Sequence, residues 1–194
     1  SVAVSFFALR DSISAYEELS HEWYGSFFRI VRQFFILSKP VITSRSDGDA
    51  NLYCGTVFVV LFMLYLSMSD IPLNTRIKRL ILSIFLLISM NESILNYIWH
   101  GFHHQNNVPN RFSFLLIFVV IVSGYEVFIR IEKCNIKAAI AALVAAELIP
   151  LITYIFMDLN TIITSGFIVI ISMIIIIFYF LVKKIYLIHF HSRF

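Results

Sequence analysis

The stretch Trp99–Phe114, WHGFHHQNNVPNRFSF, gathers His100, His103, His104 and Arg111 around Gly101, Pro109 and Asn110. On a helix, His100 and His104 would stand at i and i+4 and could form a metal pair. Gly101 weakens a helix there, and the carboxylate of the HExxH zinc motif is missing. An arginine in such a place either anchors at a lipid headgroup or, through its planar fork, grips a lipid-linked phosphate. The residues alone leave both roles open.

Upstream, Asp47, Asp49 and Asn51 in SDGDANLYCG open like a calcium loop and then depart from it. Leu52 stands where glycine is required, and Phe58 where a bidentate glutamate is required. What is left is a solvated carboxylate turn, or else a cation site or a general base.

Three glutamates fall in or beside apolar runs, where a charge costs several kcal/mol and needs a partner or water. Glu92 lies in MNESILNYIW, whose Asn91, Ser93 and Asn96 are poor lipid-facing residues, so a polar cavity is expected beside it. Glu126 is expected to reach the headgroups. Glu147 stands three residues before Pro150, where a kink would free backbone groups for a structural polar pair.

These residues need a scaffold, and composition says which solvent it faces. The 194 residues are 59% hydrophobic and 14% charged, with a mean hydropathy of +0.85. An ordinary soluble domain is about 45–50% apolar and about 25% charged. A core of this size cannot hide the twenty Phe and the long Ile, Leu and Val runs, so lipid must cover the remainder. The net charge of +3 is spread in short clusters between apolar runs, which excludes a nucleic-acid face and reads as a topology signal. Cys54 and Cys134 have no metal spacing. The chain starts at Ser1, and residues 1–10 read as the tail of a truncated helix rather than a signal peptide.

The expected fold is all-α, a polytopic transmembrane bundle of about five spans at 52–68, 80–99, 112–129, 138–157 and 162–182. Arg76, Lys78 and Arg79, then Arg130, Lys133 and Lys137, then Lys183, Lys184 and Arg193 occupy alternate connections. The positive-inside rule makes that side cytoplasmic, leaving 11–51, 100–111 and the turn at 158–161 external and Cys54 and Cys134 on opposite sides. Within 11–51, residues 24–37 (YGSFFRIVRQFFIL) put Phe27, Phe28, Val31, Phe34 and Phe35 near one helical face. Such a helix lies in the interface or packs on the bundle. Ala138, Ala142 and Ala146 would let a neighbouring helix come close.

The order NLYCG, IPLNTRIKR, LNYIWHGFH and PNRFSFL, across residues 40–125, resembles the YfhO family of bacterial membrane proteins. The resemblance implies a glycosyltransferase of the GT-C superfamily, taking a sugar from a polyprenyl-phosphate donor to an envelope polymer such as lipoteichoic acid at the outer face of the membrane. It also implies an aspartate in the first external loop as base or metal ligand, which places a divalent cation among the expected cofactors. This chain is expected to begin after that loop. On this reading Arg111 and His100 clamp the phosphate, with Gly101, Asn110 and the weaker His103 beside them, and Asp47 or Asp49 serves as base or cation ligand. Two other functions compete: a flippase for lipid-linked saccharides, with Glu92 and Glu147 lining its path, and a non-catalytic scaffold subunit.

Overall fold

The computed structural model describes residues 20–35, 38, 40, 41, 50–102 and 110–153, together with 163, 164, 166, 167, 169–171, 173, 174 and 177. Among them every regular element is helical: α1 Phe27–Arg32, α2 Thr56–Ser67, α3 Leu73–Asn91, α4 Ser93–Trp99, α5 Ser113–Ile129 and α6 Ile136–Thr153. A single 3-10 turn, Ile131–Lys133, joins the last two.

Helix α2 is apolar all round and sits at the centre, packed against α5 and α6. Its Val60, Leu61, Leu64 and Tyr65 are buried with Val127 of α5 and with Ala139, Ala142 and Ala146 of α6. These small residues let α6 approach; Ala142 and Ala146 are two of the three expected at the contact, while Ala139 is buried in place of Ala138, which is only partly covered. Gly124 does the same for α5: a Cβ there would stand 2.9 Å from the Phe58 ring and 3.3 Å from the Leu61 Cβ. Helix α6 continues through Pro150, which lies inside it. By length and composition α6 is long and apolar enough to cross a membrane, with a mean hydropathy of 1.9. Helices α2 and α5 are apolar but shorter.

Ion pairs tie one end of the bundle. Arg79 of α3 donates to the Glu126 carboxylate of α5 at 2.5 Å and to the Ser123 hydroxyl at 3.2 Å, and its guanidinium lies 4.8 Å from the centre of the buried Tyr65 ring. Glu126 therefore does not reach out to headgroups alone; it joins α5 to α3. Asp70 stands 3.3 Å from the Lys133 ammonium and 3.8 Å from the Arg130 guanidinium, clipping the turn before α3 to the turn after α5. The basic residues between the first two apolar runs are thus helical, since α3 begins at Leu73 rather than at residue 80.

Helix α1 is short and packs on α3 and α6. It buries Ile30, with Gln33, Phe34 and Phe35 in the turn that follows, while Phe28 is exposed. The helix occupies only Phe27–Arg32 of the 24–37 stretch, and these contacts hold it against the bundle. Between α1 and helices α2, α3, α5 and α6 lies an apolar cavity of about 290 Å³, lined among others by Phe34, Phe62, Leu80, Leu87, Leu116 and Ile149.

Candidate functional site

A long helix runs from α3 into α4 but breaks at Glu92, whose backbone is extended (φ −105°, ψ 128°). Such a break strands backbone groups, and an unmade buried hydrogen bond costs about 1–3 kcal/mol. Two devices satisfy them here. The Glu92 carboxylate caps α4, accepting from the amides of Ile94 at 3.0 Å and Leu95 at 2.8 Å. Residues 20–25 then run alongside and form an isolated antiparallel bridge, Trp23 to Glu92. The Tyr24 amide donates to the Asn91 carbonyl (2.9 Å) and the Ser93 amide to the Glu22 carbonyl (3.0 Å). Ser93 Oγ donates to the Ser20 carbonyl (2.7 Å), and Asn91 Nδ2 to the Gly25 carbonyl (2.9 Å). The polar residues of MNES meet this chain segment, where the sequence had suggested a cavity. Glu92 is 6% exposed.

Helix α4 is two turns long, so its far end lies about 10 Å from Glu92. There the sequence YIWHGF closes it by a Schellman motif. The Phe102 amide donates to the Tyr97 carbonyl (2.9 Å) and the Gly101 amide to the Ile98 carbonyl (3.1 Å). Gly101 takes the left-handed φ of 71° that this turn requires. Phe102 packs edge-on against Tyr97, with centroids 6.0 Å apart, the apolar contact usual between these two positions. His100 is consequently the C-cap, held in a defined orientation.

The His100 ring is fixed two ways. Its Nδ1 lies 2.8 Å from the Asn96 carbonyl. A carbonyl only accepts, so Nδ1 carries the proton. The ring also meets Phe112 edge-on at 5.9 Å, while Phe112 stacks on Trp99 at 5.0 Å. Nε2, the remaining nitrogen, is buried and has no hydrogen-bond partner. Burial pushes the His100 pKa below its usual 6.5; the bond to Asn96 opposes this, and the Arg111 charge adds to it. The imidazole is therefore neutral near pH 7, with Nε2 as a free acceptor.

Asn96 and Asn110 complete the cluster. Both are almost fully buried, and Asn96 Nδ2 donates to Asn110 Oδ1 at 2.5 Å. Asn96 Oδ1 has no partner. Asn110 holds a positive φ of 46°, uncommon for a side chain other than glycine and tolerated best by Asn and Asp. It sets Arg111 at the start of α5, exposed and close enough to act on His100.

Of the residues singled out by sequence, His100, Gly101, Asn110 and Arg111 thus converge, and Glu92 lies at the other end of α4. Asp47, Asp49, His103 and His104 lie outside the described residues, as does the side chain of Glu147 on α6. Among the described residues no three His, Cys, Asp or Glu side chains form a metal cluster. The sequence marks Asn96 as a poor lipid-facing residue near Glu92, but not its place in the cluster with His100 and Asn110.

No curated protein and no solved structure matches the chain. A model of the family "Bacterial membrane protein YfhO" matches residues 5–193, nearly the whole of it. The apolar, all-helical bundle and this match agree: the chain belongs to the YfhO family of bacterial membrane proteins.

Proposed function

We propose that this chain forms part of a multi-span membrane glycosyltransferase that moves a sugar from a polyprenyl-phosphate donor to an envelope polymer such as lipoteichoic acid. The reaction takes place at the outer face, with residues 11–51 and 100–111 external and about five crossings. Family membership suggests the reaction class. The observation that carries the site is an exposed Arg111 beside a rigid, buried hydrogen-bonding cluster where α4 and α5 meet.

In such a transfer the lipid phosphate leaves as an anion and needs a cation that does not have to move. Arg111 supplies it; the neutral His100, with Gly101, Asn110 and His103 nearby in sequence, shapes the surroundings. The apolar cavity suits a stretch of the donor's hydrocarbon. Asp47 and Asp49 remain the candidates for a divalent cation in this chain, and no step here depends on one. In the full-length protein, Arg111→Ala is expected to abolish polymer glycosylation while leaving membrane insertion intact. Normal glycosylation would remove Arg111 from the site.

One observation favours a second reading. Broken helices line substrate paths in transporters, and α3–α4 is broken at a buried glutamate. The flippase reading gains if Glu92→Gln stops labelled lipid-linked sugar from crossing vesicles that contain no acceptor.

A further inference from the structure

The site beside Arg111 holds two buried atoms that ask for the same thing. His100 Nε2 and Asn96 Oδ1 are both acceptors, and neither has a donor. A buried acceptor without a donor costs about 1–3 kcal/mol, so a fold that keeps two of them in one cluster has a use for them. Neither suits a phosphate, since both would repel its oxygens. Both suit hydroxyl groups, which donate.

We propose that His100 Nε2 is the base that receives the proton of the sugar-accepting hydroxyl, with Asn96 Oδ1 accepting from a neighbouring hydroxyl of the same polyol; this rests on the transferase reading above. The acceptor oxygen forms its bond to the anomeric carbon as the bond from that carbon to the phosphate oxygen breaks. The phosphate departs with the bonding pair and faces Arg111. The hydroxyl proton moves to Nε2, giving an imidazolium that returns it to water. Asn96 acts twice, because its backbone carbonyl holds the Nδ1 proton that leaves Nε2 unprotonated. The roles of the two cations-in-waiting thereby separate: Arg111 takes the leaving group, and His100 takes the proton. Burial chiefly keeps the resting imidazole neutral, and Arg111, the charged group among the described residues that acts on His100, adds a smaller push in the same direction.

The test uses the full-length protein in lipid nanodiscs with ¹⁵N-histidine. At pH 7.5 His100 should give the spectrum of a neutral ring protonated at Nδ1, and glycerol should shift its Nε2 resonance while inorganic phosphate leaves it in place. Asn96→Leu should weaken the glycerol response. In transfer assays with a short-chain polyprenyl-phosphate sugar, wild-type rates should fall on the acid side of the ordinary histidine range as Nε2 is protonated. His100→Gln should lose about 100-fold or more at neutral pH together with that acid limb. An Nε2-protonated or cationic His100 at pH 7.5, or a His100→Gln rate within threefold of wild type, overturns the base role alone. Absence of transfer by the wild-type protein overturns the reaction itself and the base role with it. The His21 resonance, unchanged in both variants, reports that the fold is kept.

Discussion

Replacing Glu92 by alanine removes the cap on a helix that starts in the middle of the bundle, and the cost can be worked from its contacts. The carboxylate accepts from two amides, at 3.0 and 2.8 Å, and the residue is 6% exposed, so water replaces it poorly. Loss of an N-cap costs about 0.5–2 kcal/mol, and each buried amide left unmade costs about 1–3 kcal/mol. A local destabilisation of about 2–4 kcal/mol is expected, smaller than the sum because the stranded amides relax together. The backbone pairing to residues 20–25 does not use the side chain and should hold the break in place. The opening should therefore be local to α4. Hydrogen exchange of the detergent-solubilised protein reads it directly: the Ile94 and Leu95 amides should exchange about 30- to 900-fold faster, at 1.36 kcal/mol per decade. Amides in the centre of α2 should be unaffected. Glu92→Gln keeps one carbonyl acceptor and should lose less than half as much. Equal protection of Ile94 and Leu95 in Glu92→Ala and the wild type would refute the capping argument.

Other perturbations follow from the same contacts. Gly101→Ala places a Cβ at φ 71° and should destabilise the α4 terminus by about 1–2 kcal/mol, read as faster exchange at the Phe102 amide. Arg79→Ala and Glu126→Gln should show a coupling of about 1–2 kcal/mol in a double-mutant cycle of thermal unfolding, because the pair is only about a quarter exposed and is also held by Ser123. Additive effects would mean that the pair is not formed. The pH dependence has a definite sign. His100 titrates below 6.5 in the folded state, so its contribution to stability is complete above about pH 6.5 and is lost as the pH falls toward the lowered native value, where the unfolded chain binds the proton first. His100→Phe should flatten that part of the stability curve, and an unchanged slope would show that His100 does not cause it.

Helices α2, α5 and α6 could be read from the chain because each is a long, predominantly apolar run, and such a run has few alternatives to a buried or lipid-facing helix. The start of α3 could not. Its TRIKR segment carries charges that look like a loop, and only the ion pair from Arg79 to Glu126 across to α5 shows why they are helical. The same pairing hid the role of Glu126. At Glu92 the sequence signalled trouble through its polar neighbours but not the remedy, because the segment that satisfies them lies some 70 residues upstream. The Schellman turn was local, and Gly101 marked it. The tautomer of His100 was not legible, since it depends on which carbonyl the ring meets. Phe28 misled for the opposite reason. On a short helix that ends at Arg32, Ile30 takes the inward position.

The central claim is that the cluster around His100 and Arg111 lies at the outer surface of the membrane, opposite the ion-paired end of the bundle. Single cysteines at Phe102 and at Lys133, in the full-length protein with Cys54 and Cys134 replaced by serine, test it with a membrane-impermeant maleimide. Phe102→Cys should label in intact cells, and Lys133→Cys only after the membrane is permeabilised. The reverse pattern would place the cluster in the cytosol and contradict the account.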